Sequence, residues 1–205
     1  MSDGRGNLEL DVSRETLERL MVFSEVLKKW NPKINLVSRK SIDDLWTRHI
    51  LDSIQVFEAA PEGGAWLDIG SGGGLPGIIV AILAAEKSPD TQITLMESDL
   101  RKCAFLRNAA RECGVSVTVK SKRIESAPEE NCDVLSARAL ADLDDLLGFA
   151  ERHLAENGTA MFPKGANWKK EVDNARKRWR FECDEITSVT EPGAVILKIK
   201  GVERV

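Results

Sequence analysis

The residues best suited to chemistry lie in one stretch, where glycines follow an apolar segment tipped by an acid. The predicted strand 65–69 carries Asp68 near its end, and Gly70, Gly72 and Gly74 follow at alternate positions. Glycine admits positive φ and lets a ligand approach the backbone closely. The apolar segment that follows predicts a helix, whose first N–H groups would face the same ligand. The spacing therefore predicts a loop that binds a ribose-bearing or anionic cofactor.

Two known motifs fit this loop. Gly72, Gly74 and Gly77 satisfy the dinucleotide-binding pattern G-x-G-x-x-G. Counted from Asp68, the loop reads D-x-G-x-G-x-G, which resembles the first motif of the S-adenosylmethionine-dependent methyltransferases. A P-loop is excluded, because no Gly-Lys-Ser/Thr follows the glycines. The loop by itself leaves both cofactors open.

Further candidates follow the next three predicted strands. Glu97 ends the second strand, where a carboxylate can accept hydrogen bonds from ribose hydroxyls or can cap the next helix. Ile124 and Glu125 follow the third strand, where a methyltransferase loop covers adenine; the alternative is the first turn of a surface helix. Arg138 follows the fourth strand, where substrate groups usually lie, and an ion pair with Asp142 is its alternative.

Several residues that other enzymes need are missing. The chain has no tyrosine, which excludes the Tyr-x-x-x-Lys pair of short-chain dehydrogenases. The segment after the fourth strand lacks the Asn/Asp-Pro-Pro-aromatic motif of adenine-N6 and cytosine-N4 methyltransferases. Cys132 begins that strand, at the wrong end of the sheet for a cysteine nucleophile. Methyl transfer is therefore favoured over hydride transfer, and a non-catalytic nucleotide-binding or RNA-assembly module is the alternative.

The composition limits the class of protein. A chain of 205 residues with 42% hydrophobic content can form one α/β domain with a helical extension. The net charge of −4 argues against indiscriminate nucleic-acid binding but leaves room for local basic patches. We see no apolar run long enough for a membrane span and no signal peptide, so we expect a cytoplasmic protein. The four cysteines show no C-x-x-C spacing, and no metal site is expected.

Hydrophobic periodicity places the loop in a layered α/β fold. Helices predicted at 14–30 and 41–60 form an N-terminal helical extension, 1–60, which begins with a polar tail, and the domain 61–205 follows. The last two strands are joined by a connection too short for a crossover helix, so they should be antiparallel. The alternation predicts a doubly wound, seven-stranded, mostly parallel sheet, similar to class I methyltransferases. The elements predicted in that domain are strands 65–69, 92–97, 115–120, 132–137, 159–163, 181–189 and 194–200, and helices 76–86, 99–113, 141–155 and 167–179.

Six segments in order carry a more specific resemblance, which spans nearly the whole chain. They resemble the bacterial RsmG family, also called GidB, and this implies methylation of N7 of one guanine in 16S ribosomal RNA, with S-adenosylmethionine as cofactor. The matching motifs imply cofactor contacts at Gly70, Leu75, Ile124, Glu125 and Arg138. The segments are KKWNPKINLVS (28–38), RHILDSI (48–54), LDIGSGGGLPGI (67–78), MESD with FLRN (96–108), SARALADL (136–143) and FPKG (162–165).

The chemistry of guanine N7 agrees with the missing catalytic residues. N7 already carries an in-plane lone pair, so no general base is needed and we expect a site that only positions the reactants. The expected partner is 16S ribosomal RNA or the small ribosomal subunit, bound by a monomer. Arg101, Lys102 and Lys164 near the carboxyl ends of the strands are the predicted phosphate contacts.

The segment RHILDSI carries polar residues on a helical face that is otherwise apolar. His49 is predicted to be a hydrogen-bonded core histidine, and Arg48 and Asp52 are spaced to pair locally. The resemblance assigns no role to these three residues.

Overall fold

The computed structural model describes residues 10–205, so residues 1–9, most of the predicted polar tail, lie outside the described chain, as do the side chains of residues 39 and 40. The described elements alternate helices and strands after an N-terminal helical region. Within this part of the chain, no helix is both long and apolar enough to cross a bilayer. The helices are α1 (Arg14–Ile34), α2 (Arg39–Ile42), a π-helical segment (Trp46–Leu51), α3 (Asp52–Ala59), α4 (Gly77–Lys87), α5 (Leu100–Glu112), a 3-10 turn (Ile124–Ser126), α6 (Leu143–His153) and α7 (Trp168–Ala175).

The strands form one sheet with the order β3-β2-β1-β4-β5-β7-β6. Strands β1 to β5 run parallel, and β7 pairs antiparallel with both β5 and β6. The predicted seven-stranded, mostly parallel sheet with an antiparallel end is therefore confirmed. The strands are β1 (Ala65–Ile69), β2 (Gln92–Glu97), β3 (Thr118–Ser121), β4 (Cys132–Ser136), β5 (Leu154–Lys164), β6 (Trp179–Thr187) and β7 (Val195–Arg204).

Two apolar layers cover the two faces of the sheet. Successive side chains of a strand point to opposite faces, and accordingly Trp66 of β1 packs with one layer while Leu67 and Ile69 pack with the other. Helices α1, α3, α4 and α5 pack in the first layer, and α6 and α7 pack in the second. The crossover at β1 to β4 brings the carboxyl ends of both strands to one edge, where open α/β sheets bind their ligands.

Helix α1 extends further than the sequence predicted. Its start agrees with the predicted helix 14–30, and Ser13 caps it, since the Ser13 side chain accepts from the Thr16 N–H. The helix was predicted to end at residue 30, before Pro32, but it continues through Pro32 to Ile34, and its C-terminal end is capped by Asn35 in the left-handed conformation. The restriction that proline places on the preceding residue is a bias that tertiary packing overcomes here.

The second predicted helix, 41–60, is divided into three pieces. Ser38, not Ser41, caps the short α2 by accepting from the Ser41 N–H. A π-helical segment then precedes α3, and such segments are common at functional sites. In the domain, the helix predicted over 141–155 ends at His153, and the strand predicted over 159–163 begins earlier, so that β5 includes Gly158.

Candidate active site

The glycine loop between β1 and α4 has the backbone geometry that its sequence predicts. Gly70, Gly72 and Gly74 have φ of 63°, 47° and 75°, a region that L side chains rarely adopt. A Cβ on Gly74 would lie 2.7 Å from Cγ1 of Ile78, and one on Gly70 would lie 2.6 Å from Cδ1 of Leu140. Glycine is therefore favoured by conformation at all three positions and required by space at Gly74, whereas the Leu140 side chain at Gly70 is exposed and its end can move.

Glu97, buried at the end of β2, is tied directly to this loop. Its Oε2 accepts from the Gly72 N–H at 3.0 Å, and its Oε1 accepts from the Asp99 N–H at 2.8 Å. The helix cap, which was the alternative role for Glu97, is supplied by Asp99, whose side chain accepts from the N–H groups of Arg101 and Lys102. Glu97 is thus an acceptor fixed beside the glycines.

A chain of hydrogen bonds lies beneath the loop. Trp66 Nε1–H donates to Ser136 Oγ at 2.9 Å, and the Ser136 hydroxyl donates to Asp68 Oδ1 at 2.7 Å. Burial raises the pKa of Asp68 to about 6, against the opposing effect of the hydrogen bond from Ser136. Its Oδ2 has no partner among the described residues. The network fixes the carboxyl ends of β1 and β4 relative to each other.

Ile124 and Glu125 lie in the 3-10 turn after β3. A helical turn at this position was the alternative to a loop that covers adenine. Ile124 is buried and Glu125 is exposed. The turn is held from α6, because the ring Nε2 of His153 lies 3.2 Å from the Ile124 carbonyl and Arg152 donates to the Ala127 carbonyl at 2.7 Å. The role of Ile124 and Glu125 toward adenine stays a prediction.

Arg138 joins the loop after β4 to the N-terminal helices. Its Nη1 lies 3.6 Å from Asp52 Oδ2, with 16% of each side chain exposed, and donates to the Arg48 carbonyl at 3.2 Å. The predicted alternative, a pair with Asp142, is wrong, because Asp142 instead caps α6 by accepting from the Asp145 N–H. The second carboxylate oxygen of Asp52, Oδ1, accepts a hydrogen bond from the Thr190 hydroxyl at 3.2 Å.

A cleft of about 740 Å³ opens at this edge of the sheet. It joins the glycine loop, the loop after β4, the end of β5 and the N-terminal region. Of the predicted site residues, Gly74, Glu97, Ile124, Glu125 and Arg101 lie outside its walls. Those that line it are Gly70, Gly72, Leu75, Lys102, Arg138 and Lys164.

The predicted phosphate contacts differ in their surroundings. Arg101 is exposed and pairs with Asp99 at 2.9 Å. Lys164 is largely covered, because its Nζ donates to Glu171 Oε2 at 2.7 Å and to the Ala141 carbonyl at 3.0 Å. Lys102 is half-buried on the cleft wall. Their contacts to RNA stay predictions.

Asn31 is a site residue that the sequence reasoning missed. Its Oδ1 accepts from the N–H groups of Leu36 and Val37 at 2.8 and 2.9 Å, which shapes the turn after α1. That turn lies on the glycine loop, since a Cβ on Gly73 would be 3.2 Å from the Leu36 carbonyl oxygen. The available signal was the asparagine directly before Pro32, in the segment KKWNPKINLVS (28–38). From the sequence, this position was interpreted only as the place where the helix ends.

A model of the GidB family, described as rRNA small subunit methyltransferase G, matches residues 16–198. The chain belongs to this family. Its GidB relatives include Ribosomal RNA small subunit methyltransferase G of Ruegeria sp. (strain TM1040), 98% identical over 100% of both chains. The protein of the same name from Ruegeria pomeroyi is 63% identical over 96% of each chain. The predicted resemblance to the RsmG family, also called GidB, is confirmed.

Solved structures at low sequence identity share the fold of this GidB chain. Ribosomal protein L11 methylase from Lactobacillus delbrueckii aligns with a TM-score of 0.58 at 15% identity, covering 80% of this chain and 79% of the other. TYW2 from M. jannaschii, in complex with AdoMet, aligns with a TM-score of 0.55 at 13% identity, covering 85% and 80%. The predicted class I methyltransferase fold is thereby confirmed.

Replacing Glu97 by alanine is expected to weaken binding of S-adenosylmethionine by about tenfold or more. Loss of a charged hydrogen-bond partner in a partly buried site costs about 1.5 to 3 kcal/mol. The Gly72 N–H also loses its acceptor. Isothermal titration calorimetry measures the effect, and Asp99→Ala, which removes the α5 cap at the neighbouring carboxylate, is the control. An unchanged dissociation constant in folded Glu97→Ala would show that Glu97 does not contact the ribose.

Proposed function

We propose that the chain transfers a methyl group from S-adenosylmethionine to N7 of one guanine in 16S ribosomal RNA. It would do so in the cytoplasm, as a monomer, on free RNA or on the small ribosomal subunit. The observation that carries the proposal is the continuity of the cleft: the glycine loop opens into the same space as the loop after β4 and the N-terminal helices. A methyl donor at the glycine loop and a base at the loop after β4 would therefore meet in the same cleft.

The residues present fit an adenosyl ligand. The glycines offer a close backbone approach at positive φ, and the fixed carboxylate of Glu97 can accept from ribose hydroxyls. The buried Asp68 carboxylate lies beneath the loop and faces Gly77, the first residue of α4, whose backbone N–H opposes the rise in its pKa, so this acid supports the loop from below. Ile124 and Glu125 are proposed for adenine, and Gly70, Leu75 and Arg138 for the methionyl end.

The work of the chain is positional. S-adenosylmethionine supplies an electrophilic methyl group on its sulfonium. Guanine N7 attacks with a lone pair that it already has, so no residue needs to remove a proton. The glycine loop and Arg138 are proposed to hold the methionyl end of the donor, and the partly open cleft beside them gives the base access to the methyl group.

The test is methyl transfer to small ribosomal subunits from cells that lack the enzyme, followed by chemical location of the methyl group. The cation of 7-methylguanosine is reduced by borohydride, and aniline then cleaves the strand at that nucleotide. We expect one cleavage site that depends on enzyme and methyl donor. Methyl transfer without cleavage would place the methyl group on another atom, and no transfer at all would favour the alternative of a non-catalytic ribosome-assembly module.

Replacing the three proposed phosphate contacts together, Arg101→Gln, Lys102→Gln and Lys164→Gln, is expected to reduce methyl transfer and the salt dependence of RNA binding. Each lost phosphate contact should lower the slope of log K against log salt by about 0.7 to 0.9. Lys87→Gln with Lys177→Gln is the control, because Lys87 ends α4, Lys177 follows α7, and neither lines the cleft. An unchanged slope in the triple variant would place the RNA surface elsewhere.

A further inference from the structure

His49 occupies an unusual position on the wall of the cleft. It lies in the π-helical segment, and its carbonyl accepts from the Ser53 hydroxyl at 2.6 Å and from the Asp52 N–H. The same segment is joined to the loop after β4, because Arg138 donates to the Arg48 carbonyl. The backbone around His49 is thus joined to the loop after β4, and both line the same cleft.

The imidazole of His49 is polar, and it has no hydrogen-bond partner among the described residues. Both ring nitrogens are shielded from water and form no hydrogen bond within residues 10–205, so the predicted core hydrogen bond is not formed there. The nearby charged groups have other partners. Asp52 pairs with Arg138 and accepts a hydrogen bond from Thr190, and Arg48 Nη2 lies 3.5 Å from Glu191 Oε1. A buried donor and acceptor left without partners destabilise the fold, and a ligand that pairs with them removes this cost.

The ring is held neutral. Burial, together with the positive charges of Arg138 and Arg48, lowers the pKa of His49 to about 4, against the opposing charge of Asp44. A neutral imidazole presents one N–H donor and one acceptor nitrogen. Rotation about its terminal torsion is soft, so the polar edge of a ligand in the cleft can draw a ring nitrogen toward itself.

We propose that the His49 end of the cleft is the subsite for the target base, and that the His49 N–H donates a hydrogen bond to O6 of the guanine. The assignment rests on the proposed function, because O6 lies beside N7 on the same edge of guanine. A donor on O6 fixes the rotation of the base in its plane and thereby directs the N7 lone pair. His49 then contacts the substrate without removing a proton.

The charge of the donor matters for this reaction. Methylation of N7 leaves a positive charge on the purine, so a cationic donor at O6 would repel the product-like transition state. Arg138 and Arg48, the nearby cations, are paired with carboxylates. A neutral histidine supplies the hydrogen bond without the repulsion, which gives a reason for burying it beside two arginines.

The test compares His49→Phe and His49→Gln with the wild type in single-turnover methyl transfer at saturating cofactor. His49→Phe keeps a planar ring without a donor and should slow transfer by about tenfold, whereas His49→Gln keeps a neutral donor and should recover most of the rate. Affinity for S-adenosylmethionine should stay within about twofold in both. Equal rates for wild type and folded His49→Phe would overturn the proposal.

A substrate analogue separates base contact from general support of the fold. Reconstituted subunits with 2-aminopurine at the mapped position retain N7 but lack O6. Wild-type transfer should fall by about tenfold on this base, and His49→Phe should show no further loss, since a shared interaction is lost only once. Independent, multiplying losses would overturn the proposal.

Two further outcomes keep the inference testable. If His49→Phe fails to fold, equal wild-type rates on guanine and 2-aminopurine would still overturn the contact to O6. If wild type transfers no methyl group to guanine N7 in natural subunits, the proposed function fails first, whatever the variants do.

Discussion

Gly70→Asp is expected to abolish binding of S-adenosylmethionine, with a loss of at least about a hundredfold, or about 2.8 kcal/mol at 1.4 kcal/mol per decade. At φ of 63° an L side chain is strained, and its Cβ would displace Leu140. The new aspartate carboxylate would also repel the methionyl carboxylate of S-adenosylmethionine, which is proposed to bind next to Gly70. Calorimetry on the folded variant measures the loss.

Gly114→Asp is the matched control for this effect. Gly114 has nearly the same φ, 65°, but nothing lies within 4 Å of the Cβ position, and it follows α5 away from the cleft. It should bear a similar backbone strain while keeping cofactor affinity. Tight binding by Gly70→Asp, or equal loss in both variants, would contradict a ligand at the glycine loop.

Arg138→Met is expected to destabilise the protein by about 2 to 3 kcal/mol at pH 7 and to weaken cofactor binding. Removal of one partner of a buried ion pair leaves the other charge uncompensated, at a cost of about 3 to 5 kcal/mol when burial is complete. The value here is lower, because Asp52 and Arg138 each keep 16% exposure. Urea unfolding without ligand measures the change in stability.

The destabilisation in Arg138→Met should shrink as the pH falls. Burial already raises the pKa of Asp52 above its ordinary value despite the charge of Arg138, and loss of Arg138 raises it further. A carboxyl group with a raised folded pKa destabilises the fold as the pH rises through that pKa, and protonation at lower pH relieves the cost. A deficit that is constant from pH 5 to pH 8 would contradict this account.

The double variant Arg138→Met with Asp52→Asn separates the two roles of Arg138. Replacing the stranded carboxylate by a neutral amide should recover most of the free energy of unfolding, because no unpaired charge is left. Affinity for S-adenosylmethionine should stay low, since the guanidinium itself is proposed to contact the ligand. Recovery of affinity along with stability would show that Arg138 acts only through the fold.

The glycine loop and the sheet could be predicted from sequence because their signals are local. Positive φ favours glycine at Gly70, Gly72 and Gly74. The strands and helices carry hydrophobic repeats of different period, and these repeats are visible in the sequence. The short connection before β7 likewise predicted the antiparallel end of the sheet.

The remaining parts of the site depend on contacts between residues that are distant in sequence. The partner of Arg138 is Asp52 and not the nearby Asp142, because the π-helical segment brings Asp52 across the cleft. The absence of a described partner for the His49 ring depends on the same packing. Helix α1 continues beyond Pro32 to Ile34. Its C-terminal end is capped there, because the Asn35 N–H donates to the Asn31 carbonyl and the Leu36 N–H donates to Asn31 Oδ1. Periodicity contains none of this information.

The turn held by Asn31 also limits how this chain can be recombined with others. Leu36 lies on Gly73, and Leu20, Phe23 and Leu27 of α1 share a core layer with Ile78 and Phe105 of the sheet domain. A chimera that joins the helical extension of a distant relative to this glycine loop would need matching surfaces at both places. A crossover at residues 61–63 therefore separates both surfaces at once, whereas a crossover between residues 31 and 36 keeps Leu36 with Gly73 but cuts the hydrogen bonds of Asn31, so both should yield poorly folded libraries unless the two parents match at these contacts.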